Sequence, residues 1–411
     1  MGNDNVIVGL DIGTTKIGAI IAEIGERGEP KIIGLGVSPS DGLKRGVVVD
    51  LEKTVQSITK AIQDAELMAG LKASSVFAGI AGDHIRSINS RGVIATSRSD
   101  NEITHADVER VISAAKAVAI PMDREIIHVL PQEFTVDSQS GIKDPVGMSG
   151  VRLEAEVHIV TGAVTSAQNI YKAVKRAGLE VMDLVLEPLA SSYALLGPDE
   201  LELGVVLIDL GGGTTDLAIF YDGSIRHTAV IGLGGKNVTN DIAIGLRTPV
   251  DKAEEIKVTY GCALSSLVDP EEMIKVPGVG GRESREVSRS VLSSVIEPRM
   301  EEIFSLALRE IRRTSFADML AAGVVLTGGG SLMDGAVELA EQIFDMPVKQ
   351  GVPRQISGLV DIVSSPIHAT GIGLVLYGMK QPRKGKYRSK ATKNIFSKTF
   401  HKTKNWFKEY F

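Results

Sequence analysis

The sequence predicts an α/β protein with two similar halves, and three observations predict this fold class. A strand–turn–strand segment at residues 6–21 recurs at residues 205–220, each time with an Asp at the end of the first strand and with Gly and Thr in the turn. Helical patterns follow both segments. Between them, residues 85–162 have the character of a small α+β insertion. Repeated strand segments followed by helices are typical of a two-lobed α/β fold.

The composition is that of a folded globular protein. The 411 residues are 43% hydrophobic and 23% charged, with 44 Gly and 15 Pro, which excludes coiled-coil, collagen-like and disordered classes. A single cysteine, Cys262, excludes a disulfide framework and a multi-cysteine zinc site, and it fits a reducing compartment. We expect no secretory signal, and no apolar run reaches the roughly 18 residues that a spanning helix needs.

Local patterns predict each element in chain order. Runs of β-branched residues on both sides of a Gly/Thr turn predict a hairpin in each half. In the insertion, Thr104 is followed three residues later by Asp107, which predicts the start of a helix. The predicted helices span 51–69, 104–117, 235–245 and 252–260; the strands of the insertion lie around 125–136 and 152–160; a Ser/Gly/Asp-rich loop covers 137–150; and a second insertion covers about 239–305.

Two facing hairpins of this kind can form a phosphate site without a Walker-type loop, which the sequence lacks. Small Gly and Thr residues let backbone N–H groups approach phosphate oxygens, and Thr hydroxyls add donors. Asp11 and Asp209 end the two first strands, where carboxylates can hold the water shell of a Mg²⁺ ion. Lys16 follows the first turn as a cation for phosphate. A third Gly-rich turn, at 327–333, can lie against a nucleoside.

Charge is distributed unevenly along the chain. Residues 380–411 hold eleven Lys and Arg against one acid, whereas the rest holds 34 basic and 50 acidic residues, which does not indicate a nucleic-acid partner. Residues 380–393 predict a flexible basic linker. Residues 394–411 predict an amphipathic helix on an anionic lipid membrane, with docking on the protein's own body as the alternative. The candidate membrane residues are Ile395, Phe396, Phe400, Trp406, Phe407, Tyr410 and Phe411, with Lys398, Lys402 and Lys408 at the headgroups.

Five segments, in order, resemble the motifs of the actin/Hsp70/sugar-kinase ATPase superfamily: residues 11–16, 187–193, 209–216, 326–333 and 366–373. Within it, the chain is most similar to the FtsA family of bacterial cell-division proteins, because of the insertion at 85–162 and the basic, aromatic tail. The resemblance covers essentially the whole chain. It implies an actin-like two-lobed ATPase fold with an inserted small α+β subdomain, called 1C, and a C-terminal amphipathic helix.

The resemblance also implies ATP and Mg²⁺ as cofactors and assigns the site residues. Asp11 and Asp209 would hold Mg²⁺ through water, and Glu254 and Lys257 would lie beside the ribose and base, although a plain solvated helix face explains that pair as well. The remaining nucleotide-binding residues would be Gly13, Thr14, Thr15 and Lys16 on one side, Gly211, Gly212, Gly213, Thr214 and Thr215 on the other, and Gly328, Gly329 and Gly330 at the adenosine.

Catalysis is the open part of this assignment. Glu187 stands where polymerising relatives orient the attacking water, and it would act there with Asp209. An acid at a helix N-terminus, stabilised by the helix dipole, explains Glu187 equally well. Members of the family are at most slow ATPases, so the nucleotide could serve mainly as a conformational ligand.

The resemblance further implies a partner surface. Residues 282–300 predict a charged loop that enters a helix, with Val291, Leu292, Val295 and Ile296 facing inward. In the family this region binds the C-terminal peptide of the tubulin-like division protein FtsZ. We expect Arg285 and Arg289, four apart on one helix face, to meet that acidic peptide, with a solvated charged face as the alternative.

The sequence therefore predicts an actin-like ATP-binding division protein. It would polymerise on the cytoplasmic face of the membrane at the septum, tether the FtsZ ring and help recruit later divisome membrane proteins. The alternatives are a pilus-assembly adaptor of the PilM type, a sugar or acetate kinase, and an MreB-like filament. The implied subdomains are 1A at 1–84, 163–200 and 366–379; 1C at 85–162; 2A at 201–238 and 306–365; and 2B at 239–305.

Overall fold

A computed structural model of the chain describes residues 5–25, 28–97 and 100–381. Its strands are β1 (Val6–Ile12), β2 (Lys16–Ile24), β3 (Pro30–Pro39), β4 (Leu43–Lys44), β5 (Val47–Val48), β6 (Ser75–Ile80), β7 (Arg86–Ala95), β8 (Arg124–Val136), β9 (Gln139–Ile142), β10 (Arg152–Ala163), β11 (Glu180–Leu186), β12 (Val205–Leu210), β13 (Thr215–Tyr221), β14 (Ser224–Ile231), β15 (Met273–Val276), β16 (Arg285–Ser288), β17 (Val324–Thr327), β18 (Val348–Gln350) and β19 (Ser357–Gly358). Its helices are α1 (Leu51–Ala69), α2 (His105–Ala115), α3 (Val164–Arg176), α4 (Glu187–Leu195), α5 (Pro198–Leu203), α6 (Gly235–Gly245), α7 (Val250–Tyr260), α8 (Arg289–Arg312), α9 (Ala336–Phe344), α10 (Val360–Val363) and α11 (Ala369–Lys380).

Two large sheets repeat one topology. The N-terminal sheet has the strand order β11-β6-β1-β2-β3-β19, and the C-terminal sheet has the order β14-β13-β12-β17-β18. In each sheet an antiparallel meander, β1–β3 or β12–β14, is extended beside its first strand by two parallel strands. The prediction of two similar halves is confirmed, because the recurring segment forms the first hairpin of each meander.

The C-terminal sheet is buried on both faces. Alternate residues of a strand point to opposite faces. Along β12, Val205 and Leu207 join the core of the N-terminal lobe, whereas Val206, Ile208 and Leu210 join the core of the C-terminal lobe. One face of this sheet therefore fastens the two lobes together, which explains why β12 is apolar from Val205 to Ile208.

Helices α4 and α11 pack against each other between the lobes. A Cβ atom added to Gly373 would lie 1.9 Å from the carbonyl oxygen of Ala190, so only glycine allows this approach. Glu187 begins α4, and Thr370 lies in the first turn of α11. The two helices therefore present the polar side chains of Glu187 and Thr370 at their N-terminal ends.

The insertion is a four-stranded antiparallel sheet of order β7-β10-β8-β9 with α2 packed on it. Phe134 and Leu153 of the sheet and Val111 of the helix lie in its own core. The predicted insertion is confirmed, and α2 begins with the predicted capping box of Thr104 and Asp107. One expectation is wrong: β9 lies inside the segment predicted as a loop, because it pairs with β8.

The inserted sheet also contacts the C-terminal lobe. The Gln132 side-chain amide donates to the carbonyl oxygen of Ile225 at 2.8 Å, and that of Asn89 donates to the carbonyl oxygen of Arg226 at 3.2 Å. The Ser87 hydroxyl donates to the carbonyl oxygen of Thr228 at 3.0 Å. The insertion thus binds β14, the edge strand of the C-terminal sheet.

The subdomain boundaries stay predictions. Those after residues 200, 238 and 305 fall inside α5, α6 and α8. Apart from Lys380 and Gln381, the predicted linker at 380–393 and the predicted membrane helix at 394–411 lie outside the described residues. Within the described ranges, no helix is both long and apolar enough to cross a bilayer.

Candidate nucleotide site

The two hairpin turns face each other, one from each lobe. In the first hairpin Asp11 pairs with Gly18, and in the second Asp209 pairs with Asp216. A Cβ atom added to Gly212 would lie 2.2 Å from Cγ2 of Thr15, and one added to Gly213 would lie 2.6 Å from Oγ1 of Thr14. The small residues of one turn therefore accommodate the threonines of the other, and the turns are in contact.

These turns offer backbone donors. The backbone N–H groups of Thr14, Thr15, Gly212 and Gly213 have no hydrogen-bond acceptor among the residues that the structure describes. Consecutive unpaired N–H groups in a tight turn form an anion-binding concavity. The donor set therefore fits the phosphates of a nucleotide, as the sequence predicts.

Two of the predicted hydroxyl donors, those of Thr214 and Thr215, are used within the protein, and the Thr14 hydroxyl accepts a backbone bond. The Thr14 hydroxyl oxygen accepts the N–H of Gly46 at 3.0 Å, and the Thr214 hydroxyl donates to Oδ2 of Asp216 at 2.8 Å. The Thr215 hydroxyl donates to the carbonyl oxygen of Leu233 at 2.9 Å. These three threonines thus shape the turns in the present conformation.

Four carboxylates surround the turns, and Lys16 lies among them. The ammonium of Lys16 lies 3.1 Å from Oδ2 of Asp11. Burial, together with the charges of Asp11, Asp216 and Asp209, raises the pKa of Glu187 well above its usual range, and Lys16 opposes that rise. The side chain of Glu187 is half-buried, but the residues around it leave little water to solvate its charge.

The second hairpin carries the same excess of negative charge. Burial and the charge of Asp11 raise the pKa of Asp209 to about 6, with Lys16 and a 3.4 Å hydrogen bond from Thr370 opposing the rise. Burial and the charge of Asp209 raise the pKa of Asp216 to about 7. Oδ1 of Asp216 is buried and has no hydrogen-bond partner among the described residues.

This donor set fits a divalent cation bound through water. Where carboxylates are in excess, their mutual repulsion raises the pKa of each group, and a bound cation removes that repulsion. In the part of the chain that the structure describes, no three His, Cys, Asp or Glu side chains lie close enough to ligate one ion directly. Mg²⁺ keeps several of its waters in most protein sites. Asp11 and Asp209, together with the unpartnered oxygen of Asp216, are therefore suitable partners for such waters.

The third turn packs on the second hairpin. Gly328 has φ of +80°, and a Cβ atom there would lie 2.2 Å from Oδ1 of Asp209, so both its conformation and its contacts require glycine. A Cβ on Gly330 would meet Cβ of Leu210 at 2.8 Å, whereas Gly329 has only Ile367 near it, at 3.7 Å. Gly328 and Gly330 therefore set the position of this turn.

Glu254 and Lys257, the pair predicted beside the ribose, lie behind the second turn. The Lys257 ammonium donates to Oε2 of Glu254 at 2.7 Å, to the Thr239 hydroxyl at 2.9 Å and to the carbonyl oxygen of Gly235 at 3.2 Å. The N–H of Gly235 in turn donates to the carbonyl oxygen of Gly211 at 2.9 Å. The pair thus braces α6 against the turn.

Three residues of this site received no role from the sequence. Asp216 is in the recurring motif, and its register opposite Asp209 was the available signal. Lys236, from the first turn of α6, donates to the carbonyl oxygen of Thr14 at 2.9 Å and so joins the two lobes. Thr370 bonds Asp209, and its oxygen lies 3.0 Å from the Ser191 hydroxyl. No local pattern marks Lys236, because its partner is 222 residues away.

The expected partner surface has a different geometry. Arg285 lies on strand β16 and Arg289 is the first residue of α8, so the expectation that they share one helix face is wrong. The physical reason is that β16 pairs with β15 and ends where the Ser288 N-cap starts the helix. Val291 was expected to face inward but is 48% exposed, whereas Leu292 and Ile296 are buried as predicted.

Both arginines make contacts within the protein. Arg285 donates to the carbonyl oxygen of Leu246 at 2.9 Å. Arg289 forms ion pairs with Glu272 at 2.9 Å and Asp334 at 3.0 Å, and the hydrogen bond to Glu272 contributes most to raising its pKa. Arg289 therefore has a structural role in joining α8 to the segments before β15 and before α9.

Sequence comparisons identify the family. A family model described as "Cell division protein FtsA" matches residues 206–373, and one described as "SHS2 domain inserted in FTSA" matches residues 82–161. The cell division protein FtsA of Pseudomonas aeruginosa is 56% identical over 380 residues, which cover 92% of this chain and 91% of that protein. The chain belongs to the FtsA family. FtsA of Escherichia coli K12 is 44% identical over 92% of each chain, and FtsA of Bacillus subtilis is 39% identical over 93% of this chain and 86% of that protein.

Solved structures show the same fold at lower identity. The PilM–PilN type IV pilus biogenesis complex has a TM-score of 0.66 at 17% identity and covers 91% of this chain and 98% of that chain. MreB5 of Spiroplasma citri bound to ADP has a TM-score of 0.55 at 17% identity, and the match covers 90% of this chain and 94% of that chain. The actin-like fold and the role in cell division are thus confirmed. The PilM-type and kinase alternatives are not favoured, because the FtsA relatives are far more similar in sequence.

Proposed function

We propose that this FtsA-family protein binds ATP between its two hairpins, assembles with its own copies on the cytoplasmic face of the membrane at the septum, and links the FtsZ ring to that membrane. The observation that supports the proposal most strongly is the pair of facing turns, with unpaired N–H groups beside four carboxylates and Lys16. Recruitment of later divisome membrane proteins follows as part of the same role.

Different residues would bind different parts of the nucleotide. The turns at Gly13–Lys16 and at residues 211–215 would take the phosphates, Asp11 and Asp209 would hold the water shell of Mg²⁺, and Gly328–Gly330 would lie at the adenosine. When bound, Mg²⁺ supplies positive charge that stabilises the ionised carboxylates. Glu254 and Lys257 would contribute through the position of α6.

The contact between the turns supports a role for ATP as a conformational ligand. Gly212 and Gly213 lie against Thr15 and Thr14, and phosphates held by both turns would take the space between them. Binding therefore requires the lobes to move apart, so that the nucleotide selects one lobe arrangement over another. Burial and the neighbouring carboxylates raise the pKa of Glu187, and a bound cation would oppose that rise. Any action of Glu187 on water would therefore depend on the bound cation.

A thermal-shift experiment tests ATP binding. Each variant is melted with and without Mg-ATP, since a ligand that binds only the folded state raises its melting temperature. We expect a clear rise for the natural chain and for Asp199→Asn, a control at an exposed acid of α5, and almost none for Asp209→Asn. Equal rises in all three proteins would refute the site.

Vesicle flotation tests the membrane anchor. The full chain should float with vesicles that contain anionic lipid, because aromatic side chains enter the acyl boundary while lysines face the headgroups. Trp406→Glu should release it. Asn405→Glu adds the same charge on the predicted polar face and should retain most of the binding. Release by both variants alike would indicate a purely electrostatic tether.

Arg285 remains the better of the two candidates for the acidic FtsZ peptide. Arg289 is already committed to Glu272 and Asp334, so replacing it would disturb the fold. We expect Arg285→Glu to weaken binding of an FtsZ C-terminal peptide in fluorescence anisotropy. Arg312→Glu, at the far end of α8, is the matched control and should bind normally. Normal binding by Arg285→Glu would place the site elsewhere.

A further inference from the structure

A large cavity lies between the lobes at the opposite end of α4 and α11 from Glu187 and Thr370. Its volume is about 1060 Å³, above the range of about 300–1,000 Å³ that is common for small-molecule pockets. We refer to it as the rear cavity. Six apolar side chains line it, each only partly buried against the N-terminal core: Tyr193, Leu196, Leu201, Ile356, Leu376 and Met379.

The rim of the rear cavity carries three acids against two lysines, and one of the acids, Asp222, is also paired with Arg226. Glu29 and Glu202 are exposed at its edge, and Asp222 lines it from the turn between β13 and β14. Of the two lysines at this rim, Lys143 is held by Asp222 at 2.6 Å, while Lys380 lies over the Tyr193 ring at 4.6 Å. An apolar floor with an acidic rim matches a ligand that is aromatic on one face and basic on the other.

The same chain carries such a segment, and the last described residues before it lie at the cavity. Met379 and Lys380, at the end of α11, line the rear cavity, and the tail follows directly. Residues 394–411 hold six aromatic residues against four lysines and one acid. The linker at 382–393 has twelve residues and spans at most about 40 Å when extended, so it can bring the tail back over the cavity.

We propose that the aromatic face of residues 394–411 docks in the rear cavity of its own chain when no membrane is present. The evidence for this docking does not depend on the proposed membrane role of the tail. Only its consequence for lipid binding rests on that role. Docking covers six apolar side chains and places the tail lysines near Glu29 and Glu202. It would also compete with lipid, since a tail docked about nine-tenths of the time lowers apparent membrane affinity about tenfold.

Fluorescence of the full chain tests the docking without lipid. Trp406 is the only tryptophan of the sequence, so its emission reports on the tail alone. We expect blue-shifted emission and weak quenching by acrylamide in the natural chain. Met379→Glu and, as a second variant, Ile356→Glu should shift the emission to the red and raise the quenching constant severalfold. Leu67→Glu changes an 84% exposed leucine of α1 and should behave as the natural chain does.

Three results would overturn the proposal. Full quenching of Trp406 in the natural chain would show that the tail is not docked. Protection that survives both cavity variants would place the docking site elsewhere. Protection that disappears on dilution would assign the cavity to a second copy of the chain.

Vesicles that contain anionic lipid separate this proposal from the membrane anchor itself. If docking competes with lipid, Met379→Glu should bind the vesicles severalfold more tightly than the natural chain, whereas Leu67→Glu should not. If neither the natural chain nor Met379→Glu floats, the membrane role fails, and the lipid-free measurement still decides the docking.

Discussion

The two hairpins share a topology but differ in chemistry. The first carries its own cation, because Lys16 begins β2 and lies 3.1 Å from Asp11. The second turn has no basic residue, and Asp216 faces Asp209 across the ladder instead. The consequence appears in the pKa values, which reach about 6 for Asp209 and about 7 for Asp216. One half therefore offers a phosphate cation and the other offers an excess of carboxylate.

This difference shows what a repeated fold does and does not supply. The shared topology brings two turns to one place, with an Asp at the same strand position in each. The turn sequences then decide the fit, since the glycines at 212 and 213 accommodate the threonines at 14 and 15. A symmetric pair of turns would lack either that fit or the division of charge. The asymmetry can be tested residue by residue.

The largest effect should come from the turn that holds the second hairpin. Gly328→Ala forces a left-handed φ on a residue with a Cβ and places that atom against Asp209. We expect unfolding free energy to fall by about 3 kcal/mol or more. Gly70→Ala is the control, because Gly70 has φ of +68° with nothing near its added Cβ, and it should cost only about 1 kcal/mol. Equal losses in urea unfolding would mean that strain alone, not contact with Asp209, sets the requirement.

Removing the cation of the first hairpin should affect ATP most. Lys16→Gln deletes a charge that would meet phosphate and that opposes the raised pKa values of Glu187 and Asp209. A hydrogen bond to a charged group is worth about 1.5–3 kcal/mol, so affinity for Mg-ATP should fall by about 10- to 100-fold in titration calorimetry. Lys31→Gln, an exposed lysine of β3, should bind normally. Unchanged affinity in Lys16→Gln would remove Lys16 from the site.

The excess carboxylate of the second hairpin predicts a dependence on pH. Because the folded pKa of Asp216 is raised, the folded protein binds more protons, and ligand-free stability should fall as pH rises from about 4 to about 7. Asp216→Asn should flatten that fall and stabilise the free protein by about 1–2 kcal/mol at pH 7.5, with no gain near pH 4. Asp11→Asn should stabilise it less, because it relieves the repulsion on Asp209 but also breaks the ion pair with Lys16. Equal stabilisation by both variants would contradict the division of charge.

The hairpins themselves were predictable because their signals are local. Asp11 and Asp209 precede Gly/Thr turns between apolar strands, and each pattern specifies its own hairpin. Helices α1 and α6 have the predicted bounds, and α7 begins two residues before the predicted start. The capping box of Thr104 and Asp107 is equally local, so the start of α2 was also predictable.

Features that depend on distant partners were not predictable. Strand β16 is charged and only four residues long, and it forms because β15 lies beside it. Strand β9 exists because of its pairing with β8. The contacts of Gln132 and Asn89 with β14 join segments about 90 to 140 residues apart, as their hydrogen bonds record. The register that sets Asp216 against Asp209 was visible, but its effect on pKa depends on burial, which only the fold provides.

The smallest expected effect tests a hydrogen bond by which α6 reaches the first hairpin. Lys236 donates to the carbonyl oxygen of Thr14 at 2.9 Å, so the second lobe supplies a cation to the turn of the first. Lys236→Met keeps the aliphatic stem and removes the bond, which should lower unfolding free energy by about 0.5–1.5 kcal/mol. Because this bond holds the lobes in the arrangement where the turns touch, its loss should leave ATP affinity unchanged or higher, in contrast to Lys16→Gln. Combined urea unfolding and titration calorimetry separates the two lysines. Loss of ATP affinity in Lys236→Met as large as that in Lys16→Gln would mean that both lobes supply a phosphate cation, and the asymmetry between the hairpins would then be absent.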